Sequence, residues 1–255
     1  MLLDDKKISI LMPAHEEGHH IYENVLEVAA TFDNFLLKYE IVVVDDGSED
    51  DTFEEALKVQ RELGASRVKV IQNPINHGKG FALKAGFEKT SGDYILFLDA
   101  DLDIHPRQVG RFFQIMNAGD CDVVIASKRH PQSHLVYPLT RKVLSNFYYL
   151  MTRIIFGLPV KDTQTGLALF KREVLEKVFP RIVVKKYAFS LEVLVLAHEF
   201  GYKIKEAPVD IDFKKNFGHI DPRDIRNIFV DTLGIFYRLR IIKFYEKKQA
   251  GRVER

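Results

Sequence analysis

Asp99-Ala100-Asp101 sets two carboxylates two residues apart, just past the apolar run Tyr94 to Leu98. Oxygen ligands so placed can hold a hard divalent cation, Mg²⁺ or Mn²⁺, and leave positions open for the phosphates of a substrate. Asp103 extends the series as a candidate third ligand. Acidic residues here would also cap the helix expected from Pro106. What favours a cleft is company: Pro13-Ala14-His15-Glu16-Glu17 and Asp45-Asp46-Gly47-Ser48 close two further apolar runs in the same way. Asp45 and Asp46 are placed to accept hydrogen bonds from a base or a ribose hydroxyl, with Ser48 and Asp50 or Asp51 expected to cap the next helix. Asn76-His77-Gly78-Lys79-Gly80 leads into another helix. Its glycines let a backbone approach a ligand, and Lys79 adds charge at a helix N-terminus, where phosphate is already favoured. The segment is neither a Walker A loop nor a G-x-G-x-x-G turn. His15, His77 and His105 are too scattered along the chain to predict a metal site.

These segments need a scaffold that gathers strand ends. Ile8 to Met12, Ile41 to Val44, Val68 to Ile71, Tyr94 to Leu98 and Val123 to Ala126 read as short buried strands. Ile21 to Phe32, Thr52 to Leu63, Phe81 to Thr90 and Pro106 to Met116 carry helical spacing between them. The alternation predicts an α/β fold, a mainly parallel sheet with helices on both faces. Such sheets bind ligands beyond the carboxyl ends of their strands. In the second half, helices are expected over Tyr137 to Phe156 and Phe189 to Phe200, and strands over Leu167 to Phe170 and Ile204 to Phe213. A long helix from Asp224 to Tyr245 would carry Ile225, Ile228, Phe229, Leu233, Phe236 and Leu239 on one face.

The 255 residues, 46% hydrophobic and 29% charged, exclude a disordered, collagen-like or disulfide-stapled chain. A single cysteine, Cys121, excludes an internal bridge and a cysteine-based zinc site, and a reducing compartment is the simplest expectation. No apolar run is long enough for a signal peptide or a membrane span, so one continuous, cytoplasmic unit is expected. The net charge of +1 conceals two opposite halves. Residues 1–125 hold 12 Lys+Arg against 23 Asp+Glu, a net −11, and residues 126–255 hold 25 against 13, a net +12. Such asymmetry points to a different partner for each half, and no nucleic-acid partner is expected.

In this order and spacing the motifs closely resemble glycosyltransferase family 2, nucleotide-sugar transferases of GT-A fold. Pro13-Ala14-His15-Glu16-Glu17 is similar to that family's Pro-Ala-aromatic-Asn-Glu, with His15 and Glu16 departing from it; Val44-Asp45-Asp46-Gly47-Ser48 is similar to its Val-Asp-Asp-Gly-Ser. Asn76-x-Gly78-Lys79-Gly80 and Asp99-Ala100-Asp101 follow. The resemblance implies a GT-A (Rossmann-like) fold, a mixed but mainly parallel central sheet flanked by helices, with amphipathic helices toward the C-terminus. It also implies that Pro13, Ala14, Glu17 and Asp46 surround the nucleoside, and Asp45, Lys79, Asp99 and Ala100 complete the candidate nucleotide site. Asp99 and Asp101 would hold Mg²⁺ or Mn²⁺ on the diphosphate, and the anomeric carbon would invert.

The second half is similar to the dolichyl-phosphate mannosyltransferase and dolichyl-phosphate glucosyltransferase branch, the resemblance covering roughly residues 8–215. Ala126-Ser127-Lys128-Arg129 resembles a Gly-Ser-Arg segment, Arg141 and Ser145 an Arg-x-x-x-Ser pattern, and Asp162-Thr163-Gln164-Thr165-Gly166 an Asp-Thr-x-x-Gly loop. Tyr187-Ala188-Phe189-Ser190-Leu191-Glu192 resembles aromatic-x-Phe-Asp-x-Glu. Lys128 stands for an arginine, losing its bidentate fork, and Ala168 stands where a basic residue is common. The implied reaction moves a mannose or glucose from GDP-mannose or UDP-glucose to a polyprenyl (dolichyl) phosphate.

A phosphate monoester, with a second pKa of about 6, is already an anionic nucleophile near neutral pH. The protein must then supply positioning and cations, because two phosphates repel. Arg129, Arg141 and Lys214 are the candidates for holding the acceptor, with Lys128 and Ser127 assisting and Ser145 beside them; Asp101, Lys128, Arg129 and Arg141 form the candidate catalytic set. Asp162 and Glu192 would either meet hydroxyls of the bound sugar or fix loops.

Residues 1–130 are thus expected to form the nucleotide-sugar and metal half, and residues 131–215 the acceptor half of the same catalytic domain. Residues 216–255 are expected to form an amphipathic helix with a basic tail. From Arg238 to Arg255 there are seven basic and two acidic residues, which suits either an anionic membrane surface or a packed helix followed by a solvated tail. Tyr137 to Phe156 is a second candidate for lipid contact. The expected location is peripheral, on the cytoplasmic face of a membrane, reached directly or through a small membrane-spanning partner. Two other readings use the same motifs: a transferase building a soluble or capsular polysaccharide, and a non-catalytic nucleotide-sugar-binding subunit, against which intact Asp99 and Asp101 argue.

Overall fold

Strands and helices alternate largely as the spacing predicts in the computed structural model, which describes residues 5–133, 139–186, 188–210 and 222–246, with the backbone alone at 139–143, 222 and 224. β1 (Lys7–Ala14), α1 (Ile21–Asn34), β2 (Lys38–Asp45), α2 (Thr52–Leu63), β3 (Val68–Gln72), α3 (Lys79–Phe87) and β4 (Tyr94–Leu98) come first. α4 (Val109–Asn117), β5 (Val123–Ser127), α5 (Leu139–Phe156), β6 (Leu167–Lys171), α6 (Arg172–Val178), α7 (Phe189–Glu199), β7 (Ile204–Pro208) and α8 (Pro222–Phe236) follow. The helix expected from Pro106 opens with a separate 3-10 turn, Pro106–Gln108. The seven-residue α6 has no counterpart in the sequence reading, being too short for a helical period to register. β7 ends at Pro208, five residues short of the expected strand, and residues 211–213 lie outside those described.

The strands form one sheet in the order β3-β2-β1-β4-β6-β5-β7. β1 runs parallel to β2 and β4, β2 to β3, and β5 to β7, whereas β6 is antiparallel to both β4 and β5. The chain walks outward from β1 to β3, then returns to lay β4 on the other side of β1. That reversal makes a switch point between β1 and β4, where open α/β sheets leave a crevice at the carboxyl ends of their strands.

Ile8, Ile10 and Met12 of β1 face a core shared with α1, α2 and α4; Leu11 faces a second core shared with α3, α6 and α7. Cover on both faces is why the strands read as continuous apolar runs. A buried polar cluster stands toward the other end of the strands. Glu40 of β2 accepts hydrogen bonds from Ser9 Oγ and the Ser91 N–H, both at 2.6 Å, and from Lys7 Nζ and Lys69 Nζ, both at 2.9 Å. Burial pushes its carboxyl up, but these donors outweigh burial and hold it at about 2.

The expected apolar face of α8 is corrected. Thr232, Ile235 and Leu239 are buried, while Leu233 is 55% exposed alongside Val230, Tyr237 and Ile241. The inner stripe keeps the helical period but runs through Thr232, whose hydroxyl donates to the Ile228 carbonyl at 2.7 Å, where the apolar pattern pointed to Leu233; past Phe236 the helix continues as a π-helical segment, Tyr237–Ile241. α8 packs on α5 through Phe229, whose ring lies 6.0 Å from Phe147 and 6.1 Å from Tyr148. Outward, α5 presents Phe147, Leu150 and Ile154, each more than half exposed. Among the described residues, no helix is long and apolar enough to cross a membrane.

Candidate active site

β4 is buried along its whole length and delivers Asp99 at its carboxyl end, beside the end of β1. The chain then turns sharply. Leu102 takes a left-handed conformation, φ 51°, its N–H donates to the Asp99 carbonyl at 3.3 Å, and the Asp103 N–H donates to Asp101 Oδ1 at 3.1 Å. Strain at a bulky residue persists where the surroundings over-determine it, as at ligand clamps. Asp99, Asp101 and Asp103 line one small cavity of about 70 Å³ together with Lys128, Gly166, Leu98 and Ile104.

These residues fit a divalent cation. The donors are hard carboxylate oxygens, and Asp101 carries a carboxyl raised by burial and by the charges of Asp99 and Asp103, the situation a cation would relieve. Gly166 cradles Asp99: a Cβ there would lie 2.2 Å from Asp99 Oδ2. Among the described residues, no group of three His, Cys, Asp or Glu side chains converges tightly enough to hold a metal unaided. Asp103, expected as a third ligand, is therefore brought to the cavity wall but not to a common point with the other two.

The β1 and β2 ends are knitted together by side chains. The Asp46 N–H donates to the Ala14 carbonyl at 2.9 Å. Asp45 Oδ1 accepts from the Ser48 N–H at 3.1 Å and from the Ser48 hydroxyl, and Oδ2 accepts from Gln72 Nε2 at 3.0 Å. Asp46 Oδ1 accepts from Asn73 Nδ2 at 2.7 Å, and Oδ2 from the N–H groups of His77 and Gly78 at 3.1 and 2.6 Å. Both carboxylates are buried, so in this state they shape the β1 and β2 end of the crevice by fixing its loops.

Ser48 makes no side-chain cap on α2, contrary to expectation, and of Asp50 or Asp51 it is Asp50 that meets the first N–H of the helix. Ser48 Oγ accepts from the Glu16 N–H at 3.0 Å. Asp50 accepts from the Gly18 N–H at 2.9 Å and the Thr52 N–H at 3.0 Å, and the Glu17 N–H donates to Thr52 Oγ1 at 2.8 Å. These bonds hold Pro13 to Gly18 against the start of α2. Glu16 sits at φ 57°, a conformation Asn tolerates better than Glu, which gives the departure from the family pattern at this position a physical cost. Ala100 is 3% exposed and packs in the core, its carbonyl accepting from Asn24 Nδ2 at 2.7 Å. Its side chain supports the loop and does not face a nucleotide.

On the other side of the crevice, Arg129 leaves the end of β5 and donates to Ser145 Oγ and Asn146 Oδ1 of α5, both at 2.7 Å, while its guanidinium lies 5.2 Å from the centroid of the Tyr149 ring. Arg129 and Ser145 are thus brought together, and Lys128, next to Arg129 in the chain, lines the cavity of the carboxylates. Ser127 is not available to a ligand: it is fully buried, and its Oγ accepts from the Arg129 N–H at 3.3 Å. Arg141 lies on α5 but its side chain is outside the described residues, as are Lys214 and Tyr187. Ala168 is buried within β6, opposite Phe97 and Ile125 in register, and faces the core.

Asp162 and Glu192 fix loops. Asp162 accepts from the Lys128 N–H at 3.0 Å and the Gln164 N–H at 3.1 Å, and burial raises its carboxyl. Glu192 is fully buried; its Oε2 accepts from the Val183 and Val184 N–H groups at 2.9 and 2.7 Å, and its Oε1 from Arg238 at 3.2 Å and from the Tyr245 hydroxyl. With both oxygens engaged inside the protein, Glu192 is not an acceptor contact.

A larger cavity of about 430 Å³ adjoins Asp99 and is lined by Gly78, Lys79, Lys128, Gly166, Lys186 and Ser190, among others. Sequence reasoning missed Lys186, Asn73 and the cradling role of Gly166. The Lys185-Lys186 pair immediately before Tyr187 was the available signal for Lys186; nothing local marked the others.

The family model described as glycosyl transferase family 2 matches residues 9–179. A dolichyl-phosphate beta-glucosyltransferase of Dictyostelium discoideum is 30% identical over 220 residues, covering 82% of this chain and 67% of that protein. The glycosyltransferase AglD of Haloferax volcanii is 27% identical over 237 residues, covering 92% and 38%. A dolichyl-phosphate beta-glucosyltransferase of Drosophila melanogaster is 28% identical over 222 residues, covering 80% and 66%. The chain thus spans about two thirds of the two glucosyltransferases and well under half of AglD. In fold it matches the glucosyl-3-phosphoglycerate synthase of Mycobacterium tuberculosis, solved with Mn²⁺, UDP and phosphoglyceric acid, at a TM-score of 0.68 and 21% identity, covering 91% of this chain and 79% of that one. The mannosyl-3-phosphoglycerate synthase of Rubrobacter xylanophilus matches at 0.66 and 21%, covering 94% and 76%. Motif order, sheet topology and these matches agree: the chain belongs to glycosyl transferase family 2.

Proposed function

We propose that this glycosyltransferase moves a hexose from a nucleoside-diphosphate sugar to the phosphate of a polyprenyl lipid of the dolichyl class. Glucose is the favoured sugar, supported by the names of two of its relatives, and UDP the favoured carrier, the nucleotide bound in the structurally similar glucosyl-3-phosphoglycerate synthase. The observation that carries the reading is the cavity in which Asp99, Asp101 and Asp103 meet Lys128; Arg129, the next residue in the chain, bonds Ser145 of α5. One wall suits a cation-bridged diphosphate; the other suits a second anion.

In the proposed reaction an acceptor phosphate oxygen forms a bond to the anomeric carbon as the bond from that carbon to the diphosphate breaks, with inversion, and the nucleoside diphosphate leaves with the electron pair. The nucleophile is already deprotonated near neutral pH, so no side chain has to remove a proton. Lys128 and Arg129 draw the acceptor anion in and hold it against the repulsion of the donor. Asp99 and Asp101 would hold Mg²⁺ or Mn²⁺, which when bound neutralises the charge developing on the leaving diphosphate. Lys79, at the start of α3, lines the adjoining cavity of about 430 Å³ together with Asp99 and Lys128. The apolar rows on α5 and α8, with exposed Arg153 and Arg226 among them, support peripheral contact with an anionic membrane surface, where such an acceptor resides.

Incubation of purified protein with labelled UDP-glucose or GDP-mannose, dolichyl phosphate and Mn²⁺ tests the reading. Label should pass from UDP-glucose into the solvent-extractable lipid. Donor binding with no lipid-borne label from either sugar nucleotide would remove the acceptor assignment.

A further inference from the structure

The carboxylate at the end of β4 already has a cationic partner. Lys79 Nζ is ion-paired with Asp99 Oδ1, the two side chains being 36% and 37% exposed. On its other side Asp99 is confined by Gly166, where there is room for no Cβ. Lys79 is ill placed for its own helix. It opens α3, whose first turn holds no acidic residue, and a cation there adds to the positive end of the helix dipole. The N–H groups of Gly80, Phe81 and Ala82 are meanwhile satisfied by the carbonyls of Lys185 and Gly78. A lysine held where helix stability disfavours it makes sense if an anion answers it, and in this state that anion is Asp99.

We propose that Lys79 is an exchangeable counter-ion of the metal site. Without a nucleoside diphosphate it neutralises Asp99 and competes with a divalent cation for Oδ1; when a diphosphate enters, Lys79 turns to the phosphate and frees Asp99. The inference rests on the reading of Asp99 and Asp101 as cation ligands. Lys79 can make the exchange because its charge rides on a flexible four-carbon stem, and because the cavity of about 430 Å³ that it lines with Asp99, Lys128 and Gly166 gives a diphosphate room beside it. Two cations sharing one carboxylate oxygen repel, so each disfavours the other's presence there. The diphosphate therefore raises cation affinity by removing a competitor as well as by offering its own oxygens. By linkage, the cation raises diphosphate affinity by the same factor. Each ligand thus favours the other, and free divalent ion alone fills the site less readily than it would without Lys79.

Mn²⁺ binding followed by electron paramagnetic resonance on the intact chain tests this, using Mn²⁺ alone and then Mn²⁺ with UDP. Lys79→Met should bind Mn²⁺ alone about fivefold or more tightly than the wild type, and Lys79→Arg, which keeps the cation, should match the wild type. Added UDP should strengthen Mn²⁺ binding less in Lys79→Met than in the wild type. Thermal melting confirms that the variants are folded, and Lys79→Gln carries the same comparison if the methionine variant is not. A folded Lys79→Met or Lys79→Gln that binds Mn²⁺ alone no more tightly than the wild type overturns the proposal while leaving the metal reading intact. A wild type that takes no Mn²⁺ even with UDP overturns both.

Discussion

Gly166 lies against the Asp99 carboxylate so closely that a Cβ would stand 2.2 Å from Oδ2, while its carbonyl accepts the Asp99 N–H at 3.2 Å. The glycine that closes the loop after Asp162 is therefore what lets the carboxylate occupy its place. Gly166→Ala should push Asp99 aside by roughly an ångström and lower kcat/KM by about 10²-fold, the usual consequence of such a misplacement. The melting temperature should move by only a few degrees, since the strain is relieved toward the open cleft. Transfer kinetics, Mn²⁺-dependent UDP binding and a thermal melt on one preparation check this; unchanged UDP binding and turnover would show that Asp99 is not held by Gly166.

Asp101 separates function from stability. Its carboxyl lies above the ordinary range because burial, then the charges of Asp99 and Asp103, disfavour the ionised form. A folded pKa above the unfolded one means that ionisation costs the fold stability once the pH exceeds both values. Asp101→Asn should accordingly keep or raise the melting temperature at pH 7, by a few degrees at most, while transfer falls at least about 10³-fold. A variant that loses activity and stability together would make Asp101 a structural residue.

Glu40 gives the opposite sign. Its carboxyl falls from 4.5 to about 2 in the folded protein, so the unfolded chain takes up the proton first on acidification. The stabilisation, of order 3 kcal/mol, is complete above pH 4.5 and disappears as the pH drops toward 2. Glu40→Gln should lower stability by about that amount at pH 7, and its deficit relative to the wild type should shrink across this acid window. Denaturant unfolding at pH 7, 4 and 3 measures it; a deficit independent of pH would mean that packing, not charge, is what Glu40 supplies.

The strand ends were legible because each apolar run is short, buried on both faces and followed at once by acidic or glycine-bearing sequence, so Ala14, Asp45 and Asp99 could be placed in one crevice from spacing alone. What those side chains touch was not legible, since it depends on partners far away in the chain. Asp46 is held by Asn73 and by the N–H groups of His77 and Gly78, and Glu192 by residues from Val183 to Tyr245. The same limit explains Ser127 and Ala100, motif residues whose side chains turn inward. Leu233 was misassigned for a local reason: the inner position of that turn belongs to Thr232, a polar residue that satisfies its hydroxyl on the Ile228 carbonyl and so can be buried.

The outward rows of α5 and α8 lead to the final prediction. Phe147, Leu150 and Ile154 recur at the spacing of one helical face, as do Val230, Leu233, Tyr237 and Ile241, and all are more than half exposed although water offers them nothing. Exposed Arg153 and Arg226 on the same helices would add roughly 1 kcal/mol each at an anionic surface. Purified protein should float with vesicles rich in anionic lipid and less with neutral ones, and high salt should weaken the association without abolishing it, because the apolar share is unscreened. Ile154→Asp combined with Leu233→Asp should reduce the bound fraction about tenfold or more while leaving Mn²⁺-dependent UDP binding unchanged, since neither side chain lines the cavities at Asp99. Flotation that survives the double substitution would move the lipid contact elsewhere on the surface, and loss of UDP binding with it would show that these helices support the catalytic crevice instead.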